Sequence, residues 1–123
     1  MRNYVGSDDD NGGVHVNSGI PNHAFYLVAT ALGGNAWLVA APIWYRVLTT
    51  KLSAHADFQD FATATVVAAG EEFGVGSRVQ TTVAEAWSQV GLRPPPSQAR
   101  EKQPAPNRAK RVAPPRPRNA PPP

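Results

Sequence analysis

His15 stands behind a row of three carboxylates and a double glycine, in the stretch DDDNGGVHVNSG at residues 8–19. An imidazole that does chemistry needs a neighbour on one ring nitrogen to fix its tautomer and orientation, usually a carboxylate or a carbonyl. Asp10 lies five residues before His15, with Gly12 and Gly13 between them. Glycine tolerates positive φ angles, so the segment is able to fold back and bring the Asp10 carboxylate to the ring. Such a pair leaves the far nitrogen free to donate a hydrogen bond to developing negative charge. The competing reading is a surface-loop histidine beside solvated acids.

A complete metal site is hard to build here. The chain has no cysteine and two other histidines, His23 and His55, far apart in sequence. No pair of histidines is spaced i, i+4 on a helix with a glutamate between, the arrangement that zinc peptidases use. His23 reads as a surface or interface residue in a first helical turn, and His55 as part of the 53–56 connection. Asp8 and Asp9 read as solvated, because three consecutive acids without a glycine-spaced loop make a poor calcium site. Trp37, Trp44 and Trp87 read as core or interface residues and not as platforms for stacking bases.

Four helices must position this segment. The first is expected from Asn17 or Ser18, either of which can cap it, to Leu32. Pro21 falls in its first turn, where a missing N–H is harmless. Ile20, Ala24, Leu27, Val28, Ala31 and Leu32 form its apolar stripe. Gly33 and Gly34 stop it. The second is expected over about 36–52, with Trp37, Ala40, Ile43, Trp44, Val47 and Leu48 recurring at three and four; Pro42 either kinks it or marks its true start. Asp57 caps the third, which buries Phe58, Phe61, Ala62, Thr65, Val66, Ala69 and Phe73 and ends at Gly74. The fourth opens with a capping box, Ser77 with Gln80. Val79, Val83, Ala86, Trp87 and Val90 follow, and Gly91 closes it. The first 16 residues read as an extended or irregular lead-in, and nothing reads as a strand.

The fold class is therefore an all-α bundle of about four helices within residues 1–92. A core of that size is marginal. Phe25, Tyr26, Trp37, Trp44, Tyr45, Phe61 and Phe73 are many aromatics for it, so some are expected on a face meant for another domain.

Composition changes at Arg93. Residues 93–123 hold 11 of the 13 prolines and eight Lys/Arg against one acid, about +7, whereas residues 1–92 hold four basic and eight acidic side chains, about −4. The sequence pI of 9.7 thus describes the tail, and a nucleic-acid partner inferred from it would rest on the wrong segment. The tail has one valine and no larger apolar side chain. It reads as disordered, with polyproline II character at its proline runs. The start MRNYVGSDDD has no apolar core segment and is not a signal peptide. Residues 24–45 lack charge and are long enough to span a bilayer, but Gly33-Gly34-Asn35 interrupts them, so two helices joined by a turn are expected and no membrane span.

The run Asp10-Asn11-Gly12-Gly13-Val14-His15-Val16-Asn17-Ser18-Gly19-Ile20-Pro21-Asn22 resembles the active-site histidine segment of thermolysin-like zinc metallopeptidases, the protealysin-like subgroup in particular. The resemblance continues through Ala24-Phe25-Tyr26-Leu27, Ala31-Leu32-Gly33-Gly34, Ile43-Trp44-Tyr45-Arg46, the Asp57-Phe58 helix and residues 84–92. It implies a C-terminal all-helical domain packed against a β-rich N-terminal domain, with the peptide substrate in the cleft between. It implies a zinc ion, and calcium in some members, in the intact enzyme. Carried onto this chain, His15 is the proton donor and oxyanion stabiliser, Asp10 orients it, and Asn11 shapes the loop. The departures are as informative. HExxH is absent, and the zinc ligands and water-activating glutamate of the family would lie before Met1. The expectation is a C-terminal piece of a zinc endopeptidase, inactive alone. The competing class is a non-catalytic helical module whose basic tail meets acidic partners.

Overall fold

The computed structural model describes residues 4–6 and 8–95. The disorder and polyproline character expected of the tail, and with them the basis for the interaction-module reading, lie almost wholly outside the described residues. Within them the chain is all-α, with α1 Asp10–Asn17, α2 Gly19–Leu32, α3 Ala40–Thr50, α4 Phe58–Phe73 and α5 Arg78–Gln89. No strand occurs among the described residues, and no helix is long and apolar enough to cross a membrane.

The helix start at the histidine differs from expectation. Of the described lead-in, only residues 4–6, 8 and 9 lie outside a helix. Residues 10–13 form a turn with positive φ at each position: Asp10 60°, Asn11 49°, Gly12 83° and Gly13 75°. Right-handed helix then begins at Val14, three to four residues before the expected cap, and Ser18, itself in the right-handed helical region at φ −60° and ψ −19°, links α1 to α2. Neither Asn17 nor Ser18 caps a helix end. Ser18 makes no side-chain cap and its hydroxyl donates to the His15 carbonyl at 2.7 Å. The Asp10 carboxylate has taken the cap's place.

Pro42 marks the start of α3 and does not kink it. The proline lies in the first turn of Ala40–Thr50, where its absent N–H has no helical partner to lose. Residues 36–39 instead make a tight turn, with Leu38 N–H donating to the Asn35 carbonyl at 3.0 Å and Ala41 N–H to that of Ala36 at 2.9 Å. Trp37, expected in the stripe of this helix, therefore lies outside it and is exposed; Leu48, also expected in the stripe, is within α3 and exposed as well.

α4 begins with a full capping box. Asp60 N–H donates to the Asp57 carboxylate at 2.8 Å and Asp57 N–H to that of Asp60 at 3.0 Å. The Ser77–Gln80 box forms by half. Gln80 N–H donates to the Ser77 hydroxyl at 3.2 Å, but the Gln80 side chain turns inward. Its Oε1 accepts from Gly76 N–H at 2.7 Å and its Nε2 donates to the Val66 carbonyl at 3.0 Å, tying α5 to α4. Gly70 is buried beside it, and a Cβ there would fall on the Gln80 amide.

α5 packs on α4 and α2, α3 packs on α4 and α2, and α1 on α2. The core they enclose is Ile20, Ala24 and Val28 from α2, Ile43, Trp44 and Val47 from α3, Phe61, Ala62, Val66 and Ala69 from α4, and Val83, Ala86 and Trp87 from α5. Its centre is aromatic. Trp44 and Trp87 stack with centroids 5.9 Å apart and planes 4° from parallel. Phe25 meets Trp44 edge-on at 5.5 Å, and Phe61 leans on both indoles. The Trp87 indole N–H donates to the buried Thr65 hydroxyl at 2.7 Å. The Trp44 indole N–H is buried without a partner. Ala31 lies outside the core, exposed at the end of α2.

Phe25, Trp44 and Phe61 thus meet in the core, while other aromatics are exposed. Tyr26, Trp37 and Tyr45 are 60–71% exposed, with Val16, Leu38 and Leu48 close to the same level.

Candidate active-site histidine

The site is built by the four-residue turn. A left-handed backbone costs an ordinary L-residue about 1–2 kcal/mol, and asparagine, aspartate and glycine are the residues that tolerate it. Asp10, Asn11, Gly12 and Gly13 are those types in succession. Gly13 N–H donates to the Asp9 carbonyl at 3.2 Å and closes the turn. Gly13 is needed for space as well as for φ, since a Cβ would sit 2.9 Å from the Val5 carbonyl oxygen and 3.2 Å from Asn17 Nδ2.

The reversal carries the Asp10 carboxylate over the start of α1. Oδ2 accepts from the His15 backbone N–H at 3.0 Å, and Oδ1 meets the His15 ring at Nδ1. A carboxylate only accepts, so Nδ1 carries the proton of this contact. The His15 side chain is 85% exposed while that of Asp10 is 31% exposed. The ring thus projects from the surface with one nitrogen anchored and Nε2 facing outward.

Asn17 has a role the sequence reading missed. It is 4% exposed. Its Oδ1 accepts from Val5 N–H at 2.9 Å, and its Nδ2 donates to the Val5 carbonyl at 2.9 Å and to the Gly12 carbonyl at 3.2 Å. The side chain pairs with the lead-in as a neighbouring strand would and holds the turn with its second donor hydrogen. The one signal available was an asparagine five residues after a glycine pair, which a cap explains equally well.

The other candidates stay apart. His23 is exposed on α2, its ring 6.1 Å from that of Tyr26. His55 is exposed in the loop before α4. Among the described residues no three of His, Cys, Asp and Glu converge as metal ligands would. The residues present therefore do not fit the zinc site that the resemblance implies.

The family described as "Thermolysin metallopeptidase, alpha-helical domain" matches residues 1–92. The chain belongs to that family. It is 48% identical to an extracellular metalloprotease of Pectobacterium carotovorum over 93 residues, 75% of this chain and 26% of that protein. It is 40% identical to the extracellular elastase of Staphylococcus epidermidis over 92 residues, 75% of this chain and 17% of the elastase. Among solved structures, the precursor of protealysin, a metalloproteinase from Serratia proteamaculans, superposes with a TM-score of 0.70 at 53% identity, covering 75% of this chain and 28% of that one. The chain spans about a quarter or less of the length of these relatives. As a thermolysin-type helical domain it has the five helical segments and the histidine-bearing turn described above.

Proposed function

We propose that this helical domain supplies the transition-state histidine of a zinc-dependent endopeptidase, and that the metal ligands come from sequence outside these 123 residues. His15 is the proton donor and oxyanion stabiliser; Asp10 orients it. The observation that carries the reading is the doubly anchored carboxylate beneath a ring that is otherwise exposed.

With Nδ1–H held on Asp10, a protonated ring presents Nε2–H to the cleft. As the scissile carbonyl of a peptide becomes tetrahedral, its oxygen gains negative charge. A donor already aimed at that oxygen stabilises the transition state more than the ground state and pays no reorganisation when the charge appears. Asp10 balances the imidazolium charge and prevents the ring from turning away.

The peptide substrate lies between this domain and a β-rich N-terminal domain. Val16, Trp37, Leu38, Tyr45 and Leu48, on α1, on α3 and in the turn before α3, are exposed and offer such a partner apolar surface to bury. Residues 93–123 are a basic, proline-rich extension beyond the residues the family matches. The chain alone binds no catalytic zinc and cleaves nothing. Purified protein is assayed for bound metal and for cleavage of casein with and without a chelator. Zinc near one equivalent together with chelator-sensitive cleavage would contradict the proposal.

A further inference from the structure

We infer that Asn17 is a positioning residue for His15, acting through the left-handed turn; the inference rests on the reading of His15 given above. Asp10 orients the ring only while residues 10–13 keep positive φ. Two of those four positions are not glycine, so the turn is strained and needs support from outside itself. Asn17 provides it from one helical turn along α1. Its side chain is buried, both donor hydrogens are engaged and its oxygen accepts a third bond. The Gly12 carbonyl is held at 3.2 Å, and Gly13 is wedged against Val5 and Asn17 so closely that a Cβ would not fit. The lead-in residue Val5, the turn and the first turn of α1 thus share one amide.

The chemistry requires asparagine. Aspartate has the shape but no donor, and would set a carboxylate oxygen against two carbonyls. Leucine has the size but no hydrogen bonds, and would leave Val5 and Gly12 polar groups without their partner. Glutamine carries the amide one methylene too far. Asn17 touches neither the ring of His15 nor Asp10 among the hydrogen bonds of this structure, so its effect runs through the backbone of the turn.

The test reads the His15 ring directly, without catalysis. The full chain is labelled with ¹⁵N-histidine, and long-range ¹H–¹⁵N correlation reports which ring nitrogen carries the proton. His23 and His55 serve as internal controls. Wild type is expected to show His15 with Nδ1 protonated at a pH where the rings are neutral, unlike a free imidazole, which favours Nε2–H. Asn17→Leu and Asn17→Asp are expected to move the His15 signal to the free-imidazole pattern. The two control histidines and the near-ultraviolet circular dichroism of the Trp44–Trp87 stack are expected to stay unchanged. A wild-type His15 that already has the free pattern would defeat the Asp10–His15 reading itself. A wild-type Nδ1–H that survives both substitutions would overturn the role of Asn17 and leave that reading standing. Collapse of the tryptophan signal in both variants would also overturn it, since Asn17 would then be holding the bundle and not the turn.

Discussion

The Asp10 carboxylate holds His15 at two points, the backbone N–H at 3.0 Å and the ring at Nδ1. One side chain thereby caps the helix and sets the tautomer of an exposed histidine in it. The two tasks are inseparable. Any change that lets the turn unwind removes the helix cap and the orientation of the ring together. The geometry depends in turn on four successive residues in the left-handed region, which this sequence meets with aspartate, asparagine and two glycines.

The two glycines of the turn are expected to respond differently. At Gly12 a Cβ meets nothing within 4 Å, so Gly12→Ala costs only the left-handed conformation, roughly 1 kcal/mol. At Gly13 the same methyl also strikes the Val5 carbonyl, so Gly13→Ala costs about 2–3 kcal/mol. Both costs fall on the turn and not on the aromatic core. Amide hydrogen exchange is the measurement. The His15 and Val5 N–H groups lose protection in Gly13→Ala far more than in Gly12→Ala, and the core amides of α4 keep theirs. Equal loss in the two variants would contradict the close approach.

The two stacked tryptophans also differ. Trp87 N–H has the Thr65 hydroxyl, whereas Trp44 N–H has no partner. Thr65→Val keeps the volume of the side chain but strands the Trp87 indole, at about 1–3 kcal/mol. Combined with Trp87→Phe, much of that cost is absent, because the donor has gone as well. Urea denaturation of the two single variants and the double variant gives the coupling directly. Additive losses would show that the hydrogen bond contributes nothing.

On the surface, Glu71 receives hydrogen bonds from Lys51 at 3.1 Å and Arg46 at 2.7 Å. The Lys51 hydrogen bond, helped by the charges of Lys51 and Arg46, holds its carboxyl below the usual glutamate range. A carboxyl depressed in the folded state stabilises it above the unfolded-state pKa, and that contribution disappears as the pH falls through the lowered value. All three side chains are a third or more exposed, so screening limits the effect to at most about 1 kcal/mol. Glu71→Gln should melt slightly below wild type at neutral pH, and the two curves should converge in acid. High salt should narrow the neutral-pH difference. A gap that widens in acid would contradict the sign.

Much of this was legible in the sequence because helical periodicity is a strong signal. The stripes of α4 and α5 bury where they were read, Phe61, Thr65 and Val66 in one and Val83, Ala86 and Trp87 in the other. The Asp10–His15 pair was legible from the five-residue spacing and the glycines between. Boundaries were less so. The right-handed part of α1 starts at Val14 because a carboxylate from across the turn caps it, and no local pattern announces a cap that arrives from a reversed chain. Trp37 and Leu48 fit the helical period yet are exposed: Trp37 lies in the turn before α3, which starts at Ala40, and the spacing that marks a helical face does not say whether that face is covered. Gln80 and Asn17 were each read as local helix caps, and in both the side chain is engaged elsewhere, Gln80 with Gly76 and Val66 and Asn17 with Val5 and Gly12.

On the function proposed above, His15 of this chain acts on a peptide in a cleft completed by other sequence. The measurement that tests it most directly joins this whole chain, in place of the corresponding helical domain, to the remainder of the protealysin precursor from Serratia proteamaculans. Cleavage of a quenched peptide is then followed with and without a chelator. The account predicts chelator-sensitive cleavage that falls by about 10²–10³ in kcat, with KM little changed, on His15→Ala, as for loss of one oxyanion donor. Asp10→Asn should give a smaller loss of the same kind. A folded, metal-loaded chimaera whose rate is indifferent to His15→Ala would contradict the account.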